Sequence, residues 1–267
     1  MKQSAYYRQK VIWITGASSG IGENLAKQLA QYGALLILSA RNQHKLEALK
    51  ASLTNPEQHL VLPLDLENLN ATESYTQQIL AQFGRLDILI NNGGVSQRAS
   101  AEETAMEVNR QLMEVNFFGN IALAKAVLPI FRAQKSGQYL VVSSIAGKFG
   151  FHLRSIYSAS KAALVGYYES LAMEEAPNGI KVTLAYPGKI NTPISKSALT
   201  ASGEAHGAMD RNQASGMPVE VCVEQMLRAL AKEKREVLIG GKELLAVYMK
   251  RFLPRLFWKI IPKQSAT

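Results

Sequence analysis

Cysteine is nearly absent: Cys222 is the one thiol among 267 residues. No disulfide can close within the chain, so stability has to come from an apolar core, and a reducing compartment suits it. A chain of this length forms one α/β domain, or at most two small ones, and needs no covalent staple. Cys222 lies between Val221 and Val223 in a helical pattern and is expected to be a buried small apolar residue. Long apolar runs are also lacking, since no uninterrupted stretch reaches the ~18 residues of a spanning helix. Met1 to Gln9 is polar and aromatic, unlike a secretory leader. The four histidines, His44, His59, His152 and His206, show no metal-ligand spacing, so no metal is expected. Acidic residues are missing from Ala246 to Thr267, where Lys250, Arg251, Arg255, Lys259 and Lys263 stand unopposed. The formal charge of +9 therefore leans on the C-terminus.

What is present is an alternation of short apolar runs with helical stretches. Strands are expected at Val11–Ile14, Ala34–Leu38, Leu60–Leu64, Ile88–Ile90, Tyr139–Val142, Lys181–Ala185 and Glu236–Ile239. Helices are expected at Gly20–Gln31, Gln43–Leu53, Thr72–Phe83, Glu107–Gln134, Tyr157–Glu175 and Val219–Lys232. Ser195 to Met217 is rich in small and polar residues and reads as a mobile lid or loop. This order predicts an α/β fold, a Rossmann-type doubly wound parallel sheet in a single domain with a C-terminal helical tail. Residues 1–243 form the expected NADP-binding catalytic domain, with a mobile substrate segment at 194–217, and 244–267 the basic amphipathic tail. Ligands of such sheets bind beyond the carboxyl ends of the strands. Gly16, Asn92, Ser144 and Gly188 all fall just after a strand, where that rule needs them.

Thr15-Gly16-Ala17-Ser18-Ser19-Gly20-Ile21-Gly22 joins the first strand to the first helix. Glycines let the backbone turn tightly and approach a pyrophosphate, and the helix N-terminus adds unpaired N–H groups and a favourable dipole. The end of the second strand, Ser39-Ala40-Arg41-Asn42, has no carboxylate to accept from a ribose 2′-hydroxyl. Arg41 offers a guanidinium for a 2′-phosphate instead, so NADP(H) is expected over NAD(H).

Tyr157-Ser158-Ala159-Ser160-Lys161 puts a phenol and an ammonium four residues apart, on one helical face. A nearby cation favours tyrosinate and brings the phenol toward the range where acid/base catalysis is efficient. Ser144 ends a strand thirteen positions earlier, where its hydroxyl can hold a substrate oxygen beside Tyr157. Ser143 is the structural hydroxyl of the pair.

The glycine spacing and the set Asn116, Ser144, Tyr157 and Lys161 resemble the short-form branch of the short-chain dehydrogenase/reductase family, from about Lys10 to Ile239. The resemblance implies hydride transfer between NADP(H) and a carbonyl or alcohol carbon. Tyr157 would be the acid/base and Ser144 would steady the substrate oxygen. Lys161 would hold the nicotinamide ribose, and Asn116 a water linking Lys161 to solvent. It also implies that Ser18, Ser19 and Ile21 line the phosphate turn with its glycines, that Asp65 accepts from the adenine amino group, and that Leu66 flanks the ring. Asn92 and Gly94 would let the backbone pass close to the cofactor. Pro187, Gly188, Ile190 and Thr192 would enclose the nicotinamide. The family usually has alanine where Gly93 stands, and the exchange is expected to loosen that turn. Ser143 to Ala163, Ala198 to Pro218 and Leu244 to Phe257 narrow the resemblance to a membrane-associated group within the family. Its N-terminal anchor is not seen here, so integral insertion is not expected.

The expected substrate is a small apolar carbonyl or alcohol, in a pocket lined by Phe149, Phe151, His152, Leu153 and Ile194. On a helical wheel Leu245, Met249, Phe252, Leu253, Leu256 and Ile260 share a face edged by Arg251, Arg255 and Lys259, and Pro254 splits the tail in two. Such a tail meets an anionic membrane surface, its own domain, or another subunit. A homodimer or homotetramer is expected, in the cytoplasm or peripheral at a membrane. No nucleic-acid module accompanies the charge. Three alternatives stand beside this function. A catalytically silent nucleotide sensor is opposed by the intact four residues, and a 3-oxoacyl-thioester reductase by the variable segment and tail. A sugar-nucleotide epimerase is opposed by the glycine spacing and the lack of an added substrate domain.

Overall fold

Seven of the apolar runs become the strands of one parallel sheet in a computed structural model that describes residues 3–69 and 72–264. The strands are β1 (Val11–Thr15), β2 (Leu35–Ser39), β3 (Leu60–Val61), β4 (Ile88–Asn91), β5 (Gly137–Val142), β6 (Ile180–Pro187) and β7 (Glu236–Ile239), in the order β3-β2-β1-β4-β5-β6-β7. All pairs are parallel, as Trp13 opposite Ile37 and Leu89 opposite Tyr139 show. The expected Rossmann-type doubly wound sheet is therefore present. Successive strand side chains point to opposite faces. Ile12 and Ile14 enter a core shared with α2 (Gly20–Gln31), α3 (Gln43–Ser52) and α9 (Val219–Ala231). Val11 and Trp13 enter a second core with α4 (Thr72–Phe83), α6 (Gly119–Gln134) and α7 (Ser155–Glu174). Both sheet faces are covered, which is why the strands read as continuous apolar runs. Cys222 is buried on α9, and burial pushes its thiol up to about 12.

Three expectations are corrected. The third strand does not reach Leu64. Pro63 has no N–H to donate, so β3 stops at Val61, although Leu62 and Leu64 still bond to the β2 edge. The long helix expected at Glu107–Gln134 is α5 (Met106–Met113) and α6 joined by a π-helical turn at Glu114–Phe118. By length and mean hydropathy, 1.2, this run could cross a membrane. Here it packs on the sheet through Leu123, Val127 and Phe131. An N-terminal helix, α1 (Gln3–Tyr7), was not expected. It docks because Tyr7 is fully buried and its hydroxyl donates to the Leu227 carbonyl on α9 at 2.6 Å.

The segment after β6 is tied down. Leu199 bridges to Gln97 and Ala205, a short α8 (Arg211–Ala214) follows, and Met217 bridges back to Ile190. The tail begins as α10 (Leu245–Phe252) and α11 (Pro254–Ile260); the last three residues of the expected tail lie outside the described residues. The single face drawn for the tail is also corrected. Pro254 and the non-helical Leu253 rotate α11 against α10, so one wheel does not run through both. Phe257 turns inward against Phe149, and Met249, Ala246 and Val247 pack on the domain. Leu245, Phe252, Leu253 and Leu256 stay exposed.

Candidate active site

The carboxyl ends of β1, β4, β5 and β6 open on one cavity of about 980 Å³. That is the upper end of the range for ligand sites. Its floor at one end is the glycine turn. Gly16 and Gly20 have positive φ (63° and 56°), a conformation that favours glycine. A Cβ on Gly16 would come within 2.8 Å of Gly93 Cα, and one on Gly22 within 2.1 Å of the Gly16 carbonyl oxygen. The seam with the β4 loop is drawn shut by hydrogen bonds. Asn92 Nδ2 donates to the Thr15 and Gly16 carbonyls at 3.0 and 3.2 Å, and the amides of Asn92 and Gly93 donate to Thr15 Oγ1. Ser19 is the N-cap of α2, yet its hydroxyl makes no cap bond. The first turn of that helix thus faces the cavity, flanked by Ser18, Ser19 and Ile21. Gly93 is not held by its φ; a Cβ there would meet Leu66 Cδ1 at 2.5 Å. Leu66 occupies the space an alanine methyl would take, so the turn is filled and not loosened.

Arg41 lines the cavity beyond β2, as does Lys45, one turn into α3 and not anticipated from sequence. Asn42 caps that helix by accepting from Lys45 N at 2.9 Å. Asp65 and Leu66 line the same end, Asp65 accepting from Glu67 N at 3.1 Å. Among the described residues the acidic lining is Asp65 and Glu243, against Arg41, Lys45, Arg98, Arg154, Lys161, Lys189, Lys196 and Lys242. This excess of positive charge beside an open helix N-terminus fits an anionic dinucleotide. At the far end Pro187, Gly188, Ile190 and Thr192 form the opposite wall. Thr192 reaches back over Gly20, and a Gly20 Cβ would stand 3.3 Å from Thr192 Cβ. Gln213 on α8, also not anticipated, donates to the Ile190 carbonyl and to Thr192 Oγ1.

Ser144, Tyr157 and Lys161 come together where the cavity narrows. Tyr157 is 9% exposed, and the Ser144 side chain stands beside its hydroxyl. Burial pushes the phenol above its ordinary range; Ser144 and the charges of Arg154 and Arg98 oppose that rise. Sequence reasoning gave this role to Lys161 and missed the two arginines. Both bind Asp210 of the segment after β6. Arg98 Nε donates at 2.9 Å and Arg154 at 3.2 Å, and both Arg98 and Asp210 are buried. Nothing in local spacing announces this cluster, because its members lie 112 and 56 residues apart. Lys161 is 4% exposed, lies 5.9 Å from the Tyr157 ring centre, and donates to the Val142 carbonyl at 2.9 Å. Burial pushes its ammonium down to about 8. Ser143 donates to the Lys161 carbonyl, holding α7 against β5.

Asn116 sits in the π-helical turn. It accepts from Val95 N at 2.8 Å and donates to the Val95 carbonyl and to Ser160 Oγ, so it braces the β4 loop against α7. π-turns often mark functional positions. The carbonyls of Val115 and Asn116 in this turn accept from Asn120 Nδ2. Gly94 is glycine for space: a Cβ would lie 2.8 Å from Asn116 Oδ1 and 3.4 Å from Lys161 Nζ.

The expected substrate wall is corrected in part. Phe149, Phe151 and Ile194 line the cavity, but His152 and Leu153 do not. Leu153 has φ 58° and turns outward, and His152 meets the Pro262 carbonyl at 3.2 Å. Leu245, Met249, Phe257, Ile260 and Ile261 take their place, because the tail folds back over the mouth. Only the folded path of the tail brings these residues there.

An opening of this kind at the switch point of a doubly wound sheet is where nucleotide cofactors bind, which places the chain among the dinucleotide-binding α/β enzymes. Residues 10–203 match the family model described as short chain dehydrogenase. A dehydrogenase/reductase SDR family protein 7-like of Anopheles gambiae is 39% identical over 99% of this chain and 86% of its own length. Dehydrogenase/reductase SDR family member 7B of Mus musculus is 37% identical over 99% and 84%. Member 7 of Homo sapiens is 40% identical over 96% and 77%. A short-chain dehydrogenase from Streptomyces avermitilis superposes with a TM-score of 0.81 at 31% identity, covering 94% of this chain and 95% of that one. A short-chain dehydrogenase/reductase from Burkholderia phymatum in complex with NAD shares the fold, with a TM-score of 0.84 at 21% identity over 98% and 99%. The chain belongs to the short-chain dehydrogenase family and is an oxidoreductase of that family. The narrower resemblance read from the sequence is to the member 7B type.

Burial of Lys161 has a thermodynamic signature. Its folded pKa, about 8, lies below the ~10.4 of an unfolded lysine, so the unfolded state holds the proton more tightly. The penalty is full below about pH 8 and is relieved as pH rises toward the unfolded value. The stability of the wild type relative to Lys161→Met, measured by urea titration, should therefore rise between pH 8 and 9.5. The variant should match or exceed the wild type at pH 7. A constant difference across that window would refute the burial argument.

Proposed function

We propose that the chain is an NADP(H)-dependent oxidoreductase that interconverts a carbonyl and a secondary or primary alcohol on an apolar substrate, with Tyr157 as acid/base. The observation that carries this reading is the single cavity, lined by Arg41 and Lys45, that joins the glycine turn at the start of α2 to the buried Tyr157 hydroxyl. In the reductive direction Tyr157 gives its proton to the substrate oxygen, Ser144 steadies that oxygen, and oxidation is the reverse. Lys161 holds the nicotinamide ribose, and the charges of Arg154 and Arg98 favour tyrosinate. Asn116 keeps the β4 loop and α7 in register around it. The nicotinamide supplies the hydride when bound. Gly16, Ser18, Ser19, Gly20, Ile21 and Gly22 receive the pyrophosphate. Arg41, joined by Lys45, takes the 2′-phosphate, and Asp65 and Leu66 the adenine. Asn92, Gly94, Pro187, Gly188, Ile190 and Thr192 enclose the rest. Val95, Phe149, Phe151, Phe257 and Ile260 support an apolar substrate.

Tyr157→Phe should lower turnover by at least about 10²-fold in an NADPH absorbance assay while leaving cofactor binding nearly unchanged. Turnover like that of the wild type would remove the central assignment. Arg41→Ala should weaken NADPH by about tenfold or more and NADH little, by fluorescence titration. Equal loss for the two would show that Arg41 does not meet a 2′-phosphate.

The tail is assigned to an anionic membrane surface. Tyr248, Phe252, Leu253, Leu256 and Trp258 are exposed beside Arg251, Arg255 and Lys259, while Phe257 pins α11 to the domain. Charge complementarity and interfacial aromatics support lipid as the occupant. Phe118 and Met173, exposed on the α6–α7 side, support a homodimer or homotetramer there. The full chain should pellet with phosphatidylserine vesicles at low salt and be released near 1 M salt, where the screening length falls to about 3 Å. Absence from the low-salt pellet would end the lipid assignment.

A further inference from the structure

Glu243 stands at the root of the tail, between Gly241 and α10, and lines the same cavity as Gly188 and Lys189. Its Oε1 accepts from the Lys189 amide at 2.9 Å and from the Gly241 amide at 3.0 Å. The same oxygen lies 2.4 Å from where a Cβ on Gly188 would be, and 2.5 Å from where one on Gly240 would be. Neither glycine has positive φ. Both are therefore glycine for space, and what fills the space is this carboxylate. Burial alone would raise the Glu243 pKa. The Lys189, Gly241 and Glu243 amides, with the Lys189 charge, outweigh it and hold the carboxyl below the usual range. The acceptor is thus a full carboxylate, the stronger partner for an N–H.

The turn it holds is the wall after β6. Gly188 N donates to the Ile239 carbonyl at 2.7 Å, and the Lys189 carbonyl accepts from Met217 N at 2.8 Å. Gln213 takes the Ile190 carbonyl. One side of the turn is thereby tied to the segment after β6. The Lys189 amide depends on a side chain 54 residues further on.

We infer that Glu243 is a positioning residue that fixes Gly188 to Ile190 in the shape that receives the nicotinamide half of the cofactor, and so ties the root of the tail to that end of the cavity. This rests on the dinucleotide reading above. The adenosine half is held elsewhere, at Arg41 and Asp65, so loss of Glu243 should separate the two halves.

The test titrates the full chain with NADPH and with 2′-phospho-ADP-ribose, which lacks only the nicotinamide. In Glu243→Ala the NADPH dissociation constant should rise about tenfold, as expected for loss of hydrogen bonds to a charged acceptor. The truncated ligand should stay within about twofold of wild type. Glu243→Gln keeps an oxygen acceptor and should restore most of the NADPH affinity. Gly240→Ala, whose Cβ would displace the same oxygen from outside the cavity lining, should reproduce the alanine variant, and it carries the comparison if Glu243→Ala does not fold by circular dichroism. Equal weakening of both ligands in a folded variant, or weakening of neither, overturns the assignment. If the wild type does not bind 2′-phospho-ADP-ribose, the NADP(H) reading fails instead. NADH against ADP-ribose then makes the same comparison with the same two outcomes.

Discussion

At the switch point of the sheet, the backbone turns after β1 and β4 come so close that no side-chain carbon fits between Gly16 and Gly93. Thr15 and Asn92 close the seam with four hydrogen bonds that run from one loop to the other. Everything on the cavity side follows from that approach. It aims the first turn of α2 outward, and it sets the height at which Gly94 passes under Asn116 and Lys161. It also leaves Leu66 the space beside Gly93. Larger residues at Gly16 or Gly22 would have to move backbone, not the end of a side chain, and backbone displacement here would shift the turn after β1 and the loop after β4 together.

The second constraint is electrostatic. Tyr157 and Lys161 are buried side by side, and burial disfavours the charged form of each: it raises the phenol and lowers the ammonium. The phenol starts near 10 and rises while the ammonium starts near 10.5 and falls to about 8, so burial drives the two proton affinities apart; paired perturbations of this kind cluster at functional sites. Left alone, burial would raise the phenol too far. Arg98 and Arg154 counter it, and Asp210 neutralises part of their charge while fastening the segment after β6 over the site. A carboxylate on that segment therefore acts on both the shape and the charge of the cavity.

These two constraints explain which features were legible in the sequence. The parallel sheet and the positions of Gly16, Ser144, Tyr157 and Lys161 were legible because each depends on local chemistry: an apolar run, a glycine turn, a four-residue spacing on one helix. Features made by residues distant in sequence were not. The π-turn at Asn116 has the composition of an ordinary helix. Its cause is tertiary, since Asn116 bonds to Val95 and Ser160. The Arg98–Asp210–Arg154 cluster, the Gln213 bonds and the docking of Tyr7 under α9 are likewise contacts between chain segments with no local signature. Lys45 was within reach, because Asn42 is a cap residue and Lys45 lies in the turn that follows, on the same side as Arg41. Leu153 misled the reading because its composition suits a pocket wall, whereas its left-handed backbone turns it to solvent.

The tail brings these arguments together. Its inward residues, Met249 and Phe257, complete an apolar wall that the domain alone leaves open, and Phe149 packs edge-on against Phe257. Its outward residues remain bare and basic. A helix pair with two apolar faces and one domain to pack on has to leave one face in water or bury it against something else, and large exposed apolar patches are uncommon without a partner. Because the same short helices form the rim of the cavity and are rooted at Glu243 beside Gly188, whatever covers the outer face also presses on the mouth through which substrate enters. On the function proposed above, apolar substrate and apolar tail are aspects of one arrangement, and a ligand dissolved in the covering phase would approach Tyr157 along the residues that α10 and α11 turn inward, Met249 and Phe257.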